Sequence, residues 1–138
     1  MVNKLLTIAR VTHSYKVEEV IRKDSIDLTQ EDRDLITERV MAETEVSRII
    51  ITHGTDTMTL TAAALAIIPN KTIVLVGALA PARFSESDAA FNLGMAFAAV
   101  QTAPAGVYIT MNGSVFRGDE VIKDREQGSF VLARKPES

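Results

Sequence analysis

Apolar residues along this chain come in short, regularly spaced bursts, and the spacing changes character from one burst to the next. Leu5–Val11 is loosely apolar, and Val17–Arg22 has the look of a short helix. Thr29-Gln30-Glu31-Asp32 has the form of a capping box, with Thr29 as N-cap and Asp32 reaching back to it. The helix it opens runs to about Glu43 and places Ile36 and Val40 one turn apart on a buried face. Arg48–Thr52, with three consecutive isoleucines, reads as a strand buried on both faces, and so does Thr72–Val76. Between them the alanine- and leucine-rich Thr57–Ile68 reads as a helix that stops before Pro69. A second helix of small residues spans Asp88–Gln101, and a third strand spans Gly106–Met111. Asn112-Gly113-Ser114 is a turn, leading into Val115–Lys123 as an extended hairpin arm.

Strand, helix, strand, helix, strand in this order predicts right-handed βαβ crossovers and an open parallel sheet, in an α/β fold of Rossmann-like or flavodoxin-like type with helices on both faces. The 138 residues make one domain with room for a core. Composition narrows the chemistry. There is no cysteine, which removes disulfides, thiolate metal sites and cysteine nucleophiles. His13 and His53 are too few and too far apart for a zinc site. Fifteen basic against eighteen acidic residues give a net charge of −3 with no basic stripe, so nucleic acid is not an expected partner. The apolar runs Ala62–Pro69 and Ile73–Pro81 fall short of a membrane span, and a soluble, cytoplasmic protein is the expectation.

In an open parallel sheet, ligands collect beyond the carboxyl ends of the strands. Three segments lie there: His53-Gly54-Thr55-Asp56-Thr57, Gly77-Ala78-Leu79-Ala80-Pro81, and Asn112-Gly113 with the arm that carries Lys123. Gly54 permits a tight turn and close approach to a ligand. Thr55 offers a hydroxyl as nucleophile or donor, and Asp56 can accept a ligand ammonium at the start of a helix. Spacing alone favours reading Thr55 or Asp56 as an ordinary helix cap, because Ser, Thr and Asp dominate that position. Lys123 judged alone is a solvated surface lysine, and Asp24-Ser25 an ordinary polar turn.

The string His53-Gly54-Thr55-Asp56-Thr57-Met58 after an isoleucine-rich strand resembles the signature of the bacterial-type asparaginase/glutaminase family. Val76-Gly77-Ala78-Leu79 with Pro81, then Asp88 with Phe91-Asn92-Leu93, are similar to that family's next loop and helix start. Gly106–Asn112 and Val121-Ile122-Lys123 resemble the strand and hairpin that deliver its lysine, so the likeness runs from about Val17 to Phe130. It implies an asparaginase N-terminal-type domain that hydrolyses L-asparagine to L-aspartate and ammonia through a threonine acyl-enzyme, without metal or cofactor. Glutamine is a second possible substrate.

The same resemblance implies Thr55, Asp56 and Lys123 as the catalytic group. Asp24 and Ser25 would hold the substrate α-amine and α-carboxylate, Gly54 would line the site, and the Ala78 carbonyl would meet the substrate amide. His53 is expected to be structural, and Ser87 and Asp88 to cap a helix. The family's opening Thr-Gly-Gly-Thr-Ile loop, which carries another threonine, has no counterpart here: Gly54 is the first glycine and no Gly-Gly pair occurs. A domain shortened at its N-terminus is therefore expected. The competing readings are a catalytically silent amino-acid-binding domain of the same fold, and an interaction module with a vestigial site. A homo-oligomer, dimer or tetramer, is implied by the resemblance only.

Overall fold

A computed structural model describes residues 2–80, 87–124 and 126–133 of the chain. Three strands, β1 (Arg48–Thr52), β2 (Thr72–Val76) and β3 (Gly106–Met111), lie side by side in chain order and run parallel. The register sets Ile50 beside Val74 and Val74 beside Tyr108. β2 occupies the middle and every one of its residues is buried. That is why its sequence is apolar without alternation: both faces of a central parallel strand are covered.

Alternate residues of β2 enter two separate cores. Ile73 and Leu75 pack with Ile109, Met111, Ile36, Val40, Met58 and Leu65. Val74 and Val76 pack on the opposite face with Leu6, Leu93, Ala96 and Val100. The first face is thus covered by α2 (Gln30–Ala42) and α3 (Met58–Leu65), the second by α1 (Val2–Ile8) and α4 (Ala89–Thr102). Leu65 and Ile73 are completely buried, each stabilising the fold by about 1.5–3 kcal/mol relative to exposure. Ala96 has no solvent exposure, and its small side chain brings α4 close to the sheet.

Several sequence expectations are corrected. The sheet is mixed, because β4 (Ser114–Arg117) returns antiparallel to β3 across the Asn112-Gly113 turn. Val115–Lys123 is not one arm: β5 (Val121–Asp124) pairs instead with β6 (Ser129–Leu132) in a separate two-stranded sheet. Leu5–Val11 lies largely in and just after α1, whereas Val17–Arg22 forms no regular element. Its acidic residues are drawn into side-chain pairs instead, Glu18 with Arg39 and Glu19 with Arg22. α3 ends at Leu65 rather than Ile68.

The crossovers also depart from expectation. β1, β2 and β3 advance in one direction, yet α3 and α4 lie on opposite faces. The two crossovers therefore have opposite hands, and one breaks the right-handed rule. Two right-handed crossovers would put α3 and α4 on one face.

The capping box forms as predicted. The Asp32 amide donates to Thr29 Oγ1 at 3.2 Å, and the Thr29 amide donates to Asp32 Oδ2 at 2.9 Å. Pro81 falls outside the described residues. Among the described residues no helix is long and apolar enough to cross a membrane.

Candidate active site

The loop between β1 and α3 is held from three sides. Ser25, buried at the start of a short 3₁₀ turn, accepts from the Asp56 amide through Oγ at 3.1 Å, and its carbonyl accepts from Thr57 Oγ1 at 2.6 Å. His53 ties the loop to the helix that follows. Its Nδ1 is 2.6 Å from the Gly54 carbonyl, which can only accept, so the ring proton sits on Nδ1. Nε2 then accepts from Thr61 Oγ1 at 2.7 Å. Burial pulls this imidazole below the usual histidine range, as does the Arg33 charge, against the opposing contact with the Gly54 carbonyl. His53 is a structural member of the loop.

Two glycines make the close approaches possible. A Cβ on Gly54 would lie 2.7 Å from Ser25 Oγ, and one on Gly77 would lie 2.4 Å from the His53 carbonyl oxygen. The Gly77 position also meets Thr55 Cγ2 at 3.2 Å. The loops after β1 and β2 therefore touch backbone to backbone.

Neither Thr55 nor Asp56 caps α3. The N-cap is Thr57, whose side chain makes no cap hydrogen bond and serves Ser25 instead. Thr55 and Asp56 turn towards β5, where the Lys123 ammonium donates to Thr55 Oγ1 at 2.8 Å and to Asp56 Oδ1 at 2.9 Å. The lysine side chain is 19% exposed and the aspartate 43%. Lys123 is thus no solvated surface lysine, and it reaches Thr55 across 68 positions of sequence. In its amine form a lysine so placed can take the hydroxyl proton, and as an ammonium it stabilises the oxygen as charge develops there.

Of the residues singled out in the sequence, Gly54, Thr55, Asp56, Lys123 and Ser25 meet directly. Asp24 and Ala78 adjoin the group through Ser25 and Gly77. The Asp24 side chain is exposed and its carbonyl accepts from the Asp27 amide at 2.9 Å.

Asp88 stands at the N-cap of α4, but its side chain makes no cap hydrogen bond. Ser87 Oγ accepts the Ala89 amide at 3.1 Å, while the Asp88 carboxylate accepts the Leu79 and Ala80 amides, both at 3.0 Å. Burial pushes that carboxyl up, but the Ala80 and Leu79 amides and the Asn112 and Asn92 side chains outweigh it and leave the group at about 2. Asn92, fully buried, and Asn112 complete this cluster. Sequence reasoning placed Asn92 only as part of a motif. The available signal was a lone amide inside the otherwise apolar Ala89–Val100 stretch.

A threonine, an aspartate and a lysine joined at the carboxyl edge of a mixed α/β sheet define the class, and comparison with known proteins agrees. Residues 1–130 match the family model described as asparaginase, N-terminal, and the chain belongs to that family. It is 34% identical over 111 residues to a glutaminase-asparaginase of Acinetobacter glutaminasificans, covering 77% of this chain and 32% of that protein. It is 31% identical over 117 residues to an L-asparaginase of Thermococcus kodakarensis, covering 82% and 36%. A component of the glutamyl-tRNA(Gln) amidotransferase of Methanococcus vannielii is 41% identical over 85 residues, covering 60% and 19%. The solved thermostable L-asparaginase from Thermococcus kodakarensis superposes with a TM-score of 0.84 at 28% identity, over 97% of this chain and 44% of that one. The chain spans about a third or less of the length of these curated relatives.

Proposed function

We propose that this chain carries an amidohydrolase site that converts L-asparagine to L-aspartate and ammonia through a threonine nucleophile. The observation that carries the reading is the Lys123 ammonium bridging Thr55 Oγ1 and Asp56 Oδ1. In this reading Thr55 Oγ attacks the side-chain amide carbon, and its proton passes by way of Lys123 to the departing nitrogen. The C–N bond breaks and ammonia leaves an acyl-threonine ester. Water then adds to the ester, the acyl C–O bond breaks, and the threonine proton is restored.

Asp24 and Ser25 are assigned to the substrate α-amine and α-carboxylate. Ser25 fits because its Oγ accepts from the Asp56 amide and so retains a proton to donate. Gly54 leaves room beside Ser25, and the Ala78 carbonyl takes the substrate amide N–H. The same reading includes a single asparaginase N-terminal-type domain, a homo-oligomeric assembly (dimer or tetramer) and a cytoplasmic setting; light scattering checks the assembly. The chemistry is tested by measuring ammonia release from L-asparagine and aspartate binding side by side on the 138-residue chain. Release accompanied by binding supports hydrolysis. Binding without release contradicts it and leaves an amino-acid-binding domain.

A further inference from the structure

The parallel ladder between β2 and β3 ends in a side chain. The Gly106 amide donates to the Lys71 carbonyl, and the register carries the pairing from Thr72 with Gly106 to Val76 with Thr110. Continuing that alternation, the next rung would join the Asn112 N–H to the Gly77 carbonyl. Asn92, in the first turn of α4, inserts its carboxamide there instead. Its Oδ1 accepts from the Asn112 amide at 2.9 Å, and its Nδ2 donates to the Gly77 carbonyl at 2.9 Å. One side-chain amide stands in for a backbone rung, so β2 and β3 part by the width of that amide at their carboxyl ends.

Asp88, one turn earlier, locks the wedge in place. Its Oδ2 accepts from Asn92 Nδ2 at 2.9 Å, from Asn112 Nδ2 at 2.8 Å and from the Leu79 amide at 3.0 Å. Its Oδ1 accepts from the Ala80 amide at 3.0 Å. The network therefore commits the Gly77 carbonyl and the Leu79 and Ala80 amides, while the Ala78 carbonyl accepts from no described residue. Gly77, at the root of this loop, is the residue pressed against His53 and Thr55. Whatever moves the loop after β2 moves the wall beside Thr55.

We propose that Asn92 and Asp88 are positioning residues of the site: they prop the carboxyl ends of β2 and β3 apart and hold the Ala78 backbone beside the Thr55 loop, where it meets the amide end of the substrate. This rests on the amidohydrolase reading above. Asp88→Asn and Asn92→Asp preserve shape while removing, respectively, the charge that gathers the loop amides and the donor that faces Gly77.

The test combines residue-resolved amide hydrogen exchange with calorimetric titration by aspartate, on the full chain. In both variants, exchange at Leu79 and Ala80 accelerates by about tenfold or more while Ile73–Val76 stay as protected as in the parent. Aspartate affinity falls by about tenfold in the same variants. Unchanged exchange at Leu79 and Ala80 overturns the proposal. So does acceleration spread evenly through β2, or faster local exchange with unaltered affinity. A parent that binds aspartate without releasing ammonia contradicts hydrolysis alone and leaves the positioning role decided by these measurements. A parent that does not bind aspartate overturns both.

Discussion

The Lys123 ammonium sits 2.8 Å from the Thr55 hydroxyl oxygen although Thr55 follows a strand of the four-stranded sheet and Lys123 lies in the two-stranded one. One lies in the loop after β1, the other on β5, and the second bond of the lysine, to Asp56 Oδ1, fixes its direction. If the Lys123 side chain, through its amine form, handles the threonine proton, Lys123→Met lowers asparagine turnover by about 10²–10⁴-fold, with a much smaller change in aspartate affinity. Steady-state kinetics with a parallel binding titration check this. Equal losses in both would make Lys123 a structural residue.

The two glycines of the site differ in what a methyl group would strike. At Gly54 the obstacle is the Ser25 side chain, and at Gly77 it is the His53 carbonyl oxygen. That backbone is anchored, because the His53 amide donates to the Val76 carbonyl at 2.9 Å. Gly77→Ala is therefore the more damaging, costing about 1–3 kcal/mol or more as overpacking against an immobile group. Gly54→Ala costs less stability but weakens aspartate binding by displacing Ser25. Urea midpoints and titration of both variants decide the order; a more severe loss of stability at Gly54 would contradict it.

Acid acts on the fold through His53 and Asp88 with the same sign. The folded His53 ring binds its proton less readily than the usual value of 6.5, mainly through burial. The unfolded chain thus holds more protons, and the stabilisation present above 6.5 is lost as pH falls below it. Asp88 is depressed from 3.8 to about 2, so its contribution is complete above 3.8 and disappears as pH falls through about 2. Urea denaturation from pH 8 to pH 5 should show the parent losing stability faster than His53→Asn. Parallel curves would contradict the role given to His53.

Thr29→Ala removes the acceptor for the Asp32 amide and costs about 1 kcal/mol. Denaturant unfolding of that variant checks the value, and an unchanged midpoint would show that the cap contributes nothing.

Much of this was legible in the sequence where a local rule acts alone. The Thr29–Asp32 box and the unbroken apolar β2 follow from capping chemistry and two-sided burial, whereas β1, expected to be buried on both faces, is an edge strand whose isoleucines are only partly buried. The expected meeting of Thr55, Asp56 and Lys123 came from motif likeness, since no local pattern links residues 68 positions apart. What escaped was set by tertiary context. Val17–Arg22 has helical spacing but spends its side chains on ion pairs with Arg39 and within itself. Val115 and Lys123 look like one arm until Arg117 ends its pairing with Tyr108 and Val121 begins pairing with Leu132. Asn92 looked like an interruption in an apolar helix, because a side chain replacing a sheet rung leaves no periodic trace.

The most direct measurement is ammonia release from L-asparagine by the 138-residue chain, compared with its Thr55→Ala variant, both confirmed folded by circular dichroism. The account predicts release by the parent and its loss in the variant, with the urea midpoint unchanged because only a hydroxyl and a methyl group are removed from a half-buried position. Release that persists unaltered in Thr55→Ala, or a folded parent that releases none, would contradict the account.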